Sequence, residues 1–481
     1  MQPLTGLDGA FLAFESPTMH LHIAGVLVFD ASAVDGGVGF QRIRDHVAAR
    51  VPLVPPFRAR MVEVPFGLQH PSMVDDPDFD IDFHVRRASL PRPGGPGELA
   101  ALVGSIVERP LDRRRPLWEF HVVEGLEHGH VALVSKVHHS IIDGVSGAEV
   151  LAAFFDLDPS PGAASAADAG AWSPDPVPGD VDRLRSALGS LPGQTDRVAR
   201  TLGTTVRTVR SLTSRNRDVQ GTLPPSPFQA PRTSINRAIS AHRRVHLGEV
   251  PLADLRRVNG ILGGTVNDVV LAMVAGALRT LFATRGETVD SSLVALVPVS
   301  VRREDERGTL GNRVSAMLVS LATGVEDPAA RLRLIAAGVR AAKEQHATVA
   351  PDLYARWAQA LAPAVATRVS RLLGNLRVFD HLPPPCNVVV SNIPGPDVPL
   401  YLAGARLVAM YPVGPVAEGV GVNVTVFSYL GTLYLGLQGC WDLVPDLEVL
   451  GHGMVEALNE LVKEADRRDR PVPWWHAEVS P

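Results

Sequence analysis

Cysteine is almost missing from this chain of 481 residues: Cys386 and Cys440 are the only two. Two thiols cannot build a disulfide framework, and no C-x-x-C pattern offers a zinc or redox site. Lysine is nearly as scarce. Only Lys136, Lys343 and Lys463 contribute to a combined Lys and Arg count of 46, so the positive charge is almost all arginine. A net charge of −5 gives no support to a nucleic-acid partner. No stretch approaches the ~18 uninterrupted apolar residues of a membrane span. The longest apolar runs, at 269–278 and 293–301, have the length of core helices or buried strands. The start lacks the basic opening and apolar core of a secretory signal, and no Gly-x-Ser-x-Gly nucleophile elbow occurs. These absences predict a soluble or peripherally attached cytoplasmic protein without a serine-hydrolase site.

What is present is globular: 46% apolar and 20% charged residues, in a chain long enough for two cores. Residues 1–158 read as mixed α/β, with strands near 20–29, 61–64, 120–123 and 131–137 and helices near 40–51 and 99–107. The last two strands form a hairpin about Glu127, His128 and Gly129. From 159 to 182 the composition shifts to Pro, Ala, Gly, Ser and Asp, a linker signature. Eight arginines follow between Arg183 and Arg217, interleaved with apolar residues at spacings of three and four, which predicts amphipathic helices. This segment is read either as a contact for anionic lipid or coenzyme A phosphates, or as a solvated helical face. Residues 241–470 form a second α/β unit and 471–481 a tail. Within that unit, Thr265 and Asp268 cap a helix over 266–283. Strands are expected at 243–247, 293–301, 387–391, 420–427 and 433–437, and helices at 329–345 and 446–465.

The chemistry concentrates in Ser135-Lys136-Val137-His138-His139-Ser140-Ile141-Ile142-Asp143-Gly144. Two histidines close an apolar run, and successive strand residues face opposite ways, so one of them points into a given site. Ser146 and Glu149 read as a capping box for a following helix. A histidine on such a strand-to-helix turn is suited to general-base work near neutral pH. A structural pair is the alternative. A metal site at His138, His139 and Asp143 is disfavoured, because the two rings diverge and no further ligand cluster follows. The acidic run Asp75 to Asp82 lacks the glycine and closing glutamate of a calcium loop and reads as a solvated loop before a strand.

Other motifs stand in order around the H-H-x-x-x-D-G pattern: the opening Leu7-Asp8-Gly9-Ala10-Phe11-Leu12-Ala13-Phe14-Glu15-Ser16-Pro17, then Arg109-Pro110-Leu111-Asp112 and Arg115-Pro116-Leu117-Trp118-Glu119. Asn267-Asp268 and Ser391-Asn392-Ile393-Pro394-Gly395-Pro396 follow. Over roughly residues 5–465 the chain resembles the bacterial wax ester synthase/diacylglycerol acyltransferase family. The resemblance implies a mixed α/β fold of two chloramphenicol-acetyltransferase-like domains, a pseudo-dimer with an interdomain tunnel. It implies an acyl-CoA-dependent O-acyltransferase that needs no cofactor and no metal, acyl-CoA being a substrate.

By the same resemblance His139 is the base, and His138 faces away to pack or orient the turn. Asp143 forms a salt bridge holding the loop, with Arg302 as its candidate partner, and Gly144 allows the tight turn. Glu15 and Trp118 match positions of functional importance, although Trp118 read alone is a core residue. Asn267 is either a capping residue or an oxyanion contact at a helix start. Ser391 and Asn392 either donate hydrogen bonds to substrate or shape the Pro-Gly turn. The expected reaction converts diacylglycerol and acyl-CoA to triacylglycerol and CoA, at the inner face of a membrane or on lipid droplets. A fatty alcohol acceptor, giving wax ester, is the near alternative. A condensation-type acyltransferase and a non-catalytic lipid-surface protein are the more distant ones.

Overall fold

The computed structural model describes residues 2–4, 6–142, 153–160, 177, 179–185, 189, 225, 228–289, 291–300, 314–348, 364, 367–368, 372 and 376–469. Its strands are β1 (Gln2–Pro3), β2 (His22–Asp30), β3 (Ala59–Val62), β4 (Ser72–Asp75), β5 (Val85–Ser89), β6 (Trp118–Glu124), β7 (Val131–His138) and β8 (Arg243–Pro251). They continue with β9 (Val294–Ser300), β10 (Val314–Ser320), β11 (Val388–Ile393), β12 (Tyr401–Leu402), β13 (Ala405–Val413), β14 (Val422–Tyr429) and β15 (Thr432–Cys440). Two six-stranded sheets carry the architecture, in the orders β12-β13-β2-β7-β6-β5 and β10-β9-β11-β14-β15-β8, with a small sheet β1-β4-β3 beside them.

The first sheet is built around β7, every residue of which is buried. A strand covered on both faces needs a continuous apolar run rather than an alternating one; 131–134 supplies it, and the two polar residues that follow, Ser135 and Lys136, are buried with hydrogen bonds to backbone carbonyls. β6 and β7 pair antiparallel across a turn in which His128 and Gly129 take positive φ, 59° and 69°. The hairpin expected at that point forms there. β2 pairs with β7 so that His22 lies opposite His138.

The second sheet shares its core with four helices, Leu252–Leu262, Val266–Thr284, Pro328–Thr348 and Leu447–Asp469. The second of them starts in the expected capping box: the Thr265 N–H donates to Asp268 Oδ2 at 2.8 Å and the Asp268 N–H to Thr265 Oγ1 at 3.3 Å. Small residues let two of the helices approach closely, since a Cβ on Gly276 would lie 2.6 Å from that of Ala457. Val266–Thr284 is the one helix among the described residues long and apolar enough to cross a membrane. Most of its apolar stretch is buried inside the fold, as in a core helix.

One connection crosses the linear division of the chain. β13 lies between β11 and β14 in sequence, yet it pairs antiparallel with β2 and so completes the first sheet. Near its end β13 itself passes directly against β15, where a Cβ on Gly436 would land on the Pro412 carbonyl oxygen. At the strand's end a Cβ on Gly414 would meet Asn423 Oδ1 at 2.6 Å and Thr425 Oγ1 at 2.7 Å. Glycine is required at both places because two sheets touch there. The helices Gly6–Phe14 and Leu252–Leu262 and the strand β10 carry no expectation from sequence. In the acidic run, Asp80 caps a single turn of helix, Ile81–His84, before β5 begins.

Candidate active site

β7 ends at the two histidines, and the backbone pins both. The His138 N–H donates to Leu117 O and the His139 N–H to Leu21 O, each at 2.9 Å, so the turn is tied to both neighbouring strands. The side chains then diverge, as the strand geometry requires. His138 is 1% exposed. Its Nδ1 accepts from the Ser140 N–H at 3.0 Å and lies 2.7 Å from Ser140 Oγ. An Nδ1 that accepts leaves the proton of the neutral ring on Nε2. That Nε2 faces Glu15 Oε2 at 3.9 Å. Burial, and after it the nearby Arg113 charge, hold His138 well below the usual histidine range, so it is neutral and the contact with Glu15 is not an ion pair.

His139 is half-buried, and its ring stacks on Phe11 with centroids 4.6 Å apart and planes 17° from parallel. Two more histidines stand at this end of the sheet. His22 is buried with Nε2 2.7 Å from Val107 O, and burial holds it well below its ordinary pKa. His20 stacks on His22 at 5.7 Å and is lowered to about 4, by burial first and by the Arg243 charge second. Of these four histidines only His139 keeps partial access to solvent. The buried Lys136 on the same strand donates to Ile106 O at 3.0 Å and Arg109 O at 2.7 Å, and so holds the carbonyl end of the helix Pro96–Val107. Burial lowers its pKa to about 8.

Glu15 lies beside His138 rather than His139, and Arg113 holds it. Asn267 is the second residue of its helix and half-buried. The cap is made by Thr265 and Asp268, so Asn267 is not the capping residue, and its side chain makes no hydrogen bond to the described residues. Ser391 and Asn392 are half-buried on β11, opposite Thr425 and Val426 of β14. They face opposite sides of the sheet, and Ser391 shares the side of Thr425, towards the end of β13. Asp143, Gly144, Arg302 and the capping box at Ser146 lie outside the described residues.

Trp118 is a core residue, the reading it has when taken alone. It is fully buried, stacked between Phe57 at 4.8 Å and His84 at 4.5 Å, with Nε1 donating to Phe57 O at 2.8 Å. A large ring with its one donor satisfied inside the core does not line a substrate cleft. Its motif supports the site through backbone instead, because Leu117 O receives the His138 N–H. Trp118→Ala is expected to cost about 3–5 kcal/mol of stability, read by urea unfolding, with KM for acyl-CoA nearly unchanged in the folded fraction. A raised KM at full stability would return Trp118 to the substrate.

Sequence reasoning passed over Arg113, His20 and His22. Arg113 sits between two quoted motifs, in a run of three arginines. Only the fold separates them: Arg114 pairs with Asp112 in solvent, and Arg115 lies over the Phe83 ring at 3.9 Å.

A cleft of about 450 Å³ lies between the small residues Gly97, Ala100 and Gly104 on one side and Arg244, His246 and Trp441 on the other, and His138, His139, Glu15 and Asn267 are not among its lining residues. Among the described residues no group of three His, Cys, Asp or Glu side chains is arranged for a metal ion.

The family model of the wax ester synthase/diacylglycerol acyltransferase catalytic domain matches residues 4–270, and that of the family's C-terminal domain matches residues 310–462. A Mycobacterium tuberculosis protein carrying the provisional name of a diacylglycerol O-acyltransferase is 37% identical over 473 residues, 98% of this chain and 92% of its own. A second from that organism, named likewise, is 36% identical over 452 residues, covering 92% and 95%. Among solved structures, the wax ester synthase/diacylglycerol acyltransferase from Marinobacter aquaeolei VT8 superposes with a TM-score of 0.70 at 29% identity, covering 97% of this chain and all of that one. The first condensation domain of the calcium-dependent antibiotic synthetase shares the fold, with a TM-score of 0.57 at 18% identity over 96% and 97% of the two chains.

Proposed function

The chain belongs to the wax ester synthase/diacylglycerol acyltransferase family and is an acyltransferase, and we propose that it joins the acyl group of acyl-CoA to the free hydroxyl of diacylglycerol. The observation that carries the mechanism is the placement of His139. It is the one partly accessible histidine at an end of the sheet where His20, His22 and His138 are buried and neutral.

In this reading the His139 imidazole takes the hydroxyl proton as the alcohol oxygen attacks the thioester carbonyl. The tetrahedral oxyanion collapses, the C–S bond breaks, and the imidazolium returns its proton to the CoA thiolate. The thioester is already activated, so neither an acyl-enzyme nor a cofactor enters the scheme. Asn267, half-buried in the first turn of its helix beside free backbone N–H groups, is assigned to the developing oxyanion.

Diacylglycerol is chosen as acceptor because the Mycobacterium tuberculosis relatives carry that name. A fatty alcohol is the second reading, which the double name of the Marinobacter protein supports. The apolar substrates place the work at a lipid surface, with peripheral contact at the inner face of a membrane or on lipid droplets.

The test is direct. Purified protein receives palmitoyl-CoA with diacylglycerol in anionic vesicles, or with hexadecanol, and both released thiol and ester product are measured. Triacylglycerol formation on vesicles is expected to fall with added salt, whereas ester formation on a short soluble alcohol is not. Wax ester alone would transfer the assignment to the second acceptor. Thiol release without ester, or no thiol release at all, would overturn the acyl-transfer reading.

A further inference from the structure

Arg113 reaches into the site from a loop 98 residues away from its partner. Its Nε and Nη2 both donate to Glu15 Oε2, at 2.8 and 2.6 Å, and Nη2 also donates to Leu12 O at 2.6 Å. Nη1 lies 3.6 Å from Glu63. Leu12 O is one of the last carbonyls of the helix Gly6–Phe14, where orphan acceptors and the negative end of the helix dipole favour a cation.

That helix and the residue after it touch both histidines. Phe11 stacks on the His139 ring, and Glu15, four residues on, presents to His138 Nε2 the same oxygen that Arg113 holds. Four residues are one helical turn, so Phe11 and Glu15 fall on one side of the segment. His138 in turn is locked through Nδ1 to Ser140, inside the turn that follows His139. One guanidinium therefore sits at the root of both contacts that set the two rings.

We propose that Arg113 is a positioning residue for acyl transfer: by clamping Glu15 and the end of the helix Gly6–Phe14 it fixes the Phe11–His139 stack and the His138–Ser140 turn, and so the direction in which His139 meets the acceptor hydroxyl. The proposal rests on His139 being the base. A residue acting in this way changes the chemical step more than substrate affinity, since small misplacements of a reacting group are costly.

Arg113→Met and Glu15→Gln are expected to lower kcat about 10–100-fold, with KM for acyl-CoA within about twofold of wild type. The double variant should be no slower than the worse single, because the two residues act as one unit. Arg113→Lys should recover part of the rate, since it restores the charge without the planar fork. Rates are measured well below each variant's unfolding temperature. Nitrogen-15 spectra of labelled histidines give a second readout independent of turnover, with the His138 and His139 signals identified by their loss in His138→Gln and His139→Gln.

In wild type, His138 should show the Nε2-protonated form, and Arg113→Met should shift both ring signals. Unchanged spectra and unchanged kcat, multiplicative losses, or a raised KM at constant kcat would each overturn the clamp. If the wild-type protein transfers no acyl group and the spectra still respond, the clamp stands and the reaction assignment fails.

Discussion

His139→Ala is expected to lower kcat by about 10²–10⁴-fold, the usual size of general-base assistance, and His138→Gln to lower it less. The two residues are neighbours in sequence and identical in chemistry, so the difference must come from their surroundings. His139 leaves the strand half-buried, with Phe11 covering one face of its ring. His138 is sealed at 1% exposure, with Nδ1 engaged by Ser140 and Nε2 turned to Glu15. A ring with no path to substrate cannot take a proton from it. Glutamine in place of His138 preserves an N–H near Glu15, so any loss there reports on positioning. Single-turnover transfer from palmitoyl-CoA, with folding checked by circular dichroism, gives the comparison. Equal and near wild-type rates in both variants would remove the pair from the chemistry altogether.

Stability is expected to fall as pH drops from about 6.5 towards 4. His20 and His84 are both lowered from 6.5 to about 4, in each case by burial before any other cause. Above 6.5 both the folded and the unfolded chain hold these rings neutral, and stability is at its full value. Between 6.5 and 4 the unfolded chain binds protons that the fold refuses, so every step down in pH favours unfolding. A gap of that size corresponds to roughly 3 kcal/mol for each histidine. Burial also holds His22 and His138 well below the ordinary histidine value, so they act in the same direction. Asp446, held low by its bond to Arg285, works in the same direction but only below the ordinary carboxylate range. Urea unfolding at pH 7.5, 6.5, 5.5 and 4.5 should show the slope, and His20→Asn should flatten it. A stability that stays level from 7.5 to 4.5 would mean that these rings are solvated.

Much of the local design is legible in the amino-acid sequence itself. The apolar run ahead of His138 specifies a buried strand, the Glu127-His128-Gly129 turn a hairpin, and Thr265 with Asp268 a helix start. Alternation along β7 is enough to separate the two histidines. Motif order carries the family as well, and the family models span most of the chain. Each of these signals depends on residues a few positions apart, whose relation is set by the 2.0 and 3.6 periods of the backbone.

The rest depends on contacts between distant segments. Trp118 belongs to a motif that suggests function, yet Phe57 and His84 enclose it. Arg113 is one of three consecutive arginines with identical local signals, and only the approach of Glu15 selects it. β13 follows the strands of the second unit in the chain and joins the first sheet instead. No local pattern encodes such choices, because they are decided by which surfaces can be buried together once the elements exist. The chain's periodicities therefore set the strand, the turn and the pair of histidines, while packing between remote segments decided which histidine is left accessible and which arginine holds it in place.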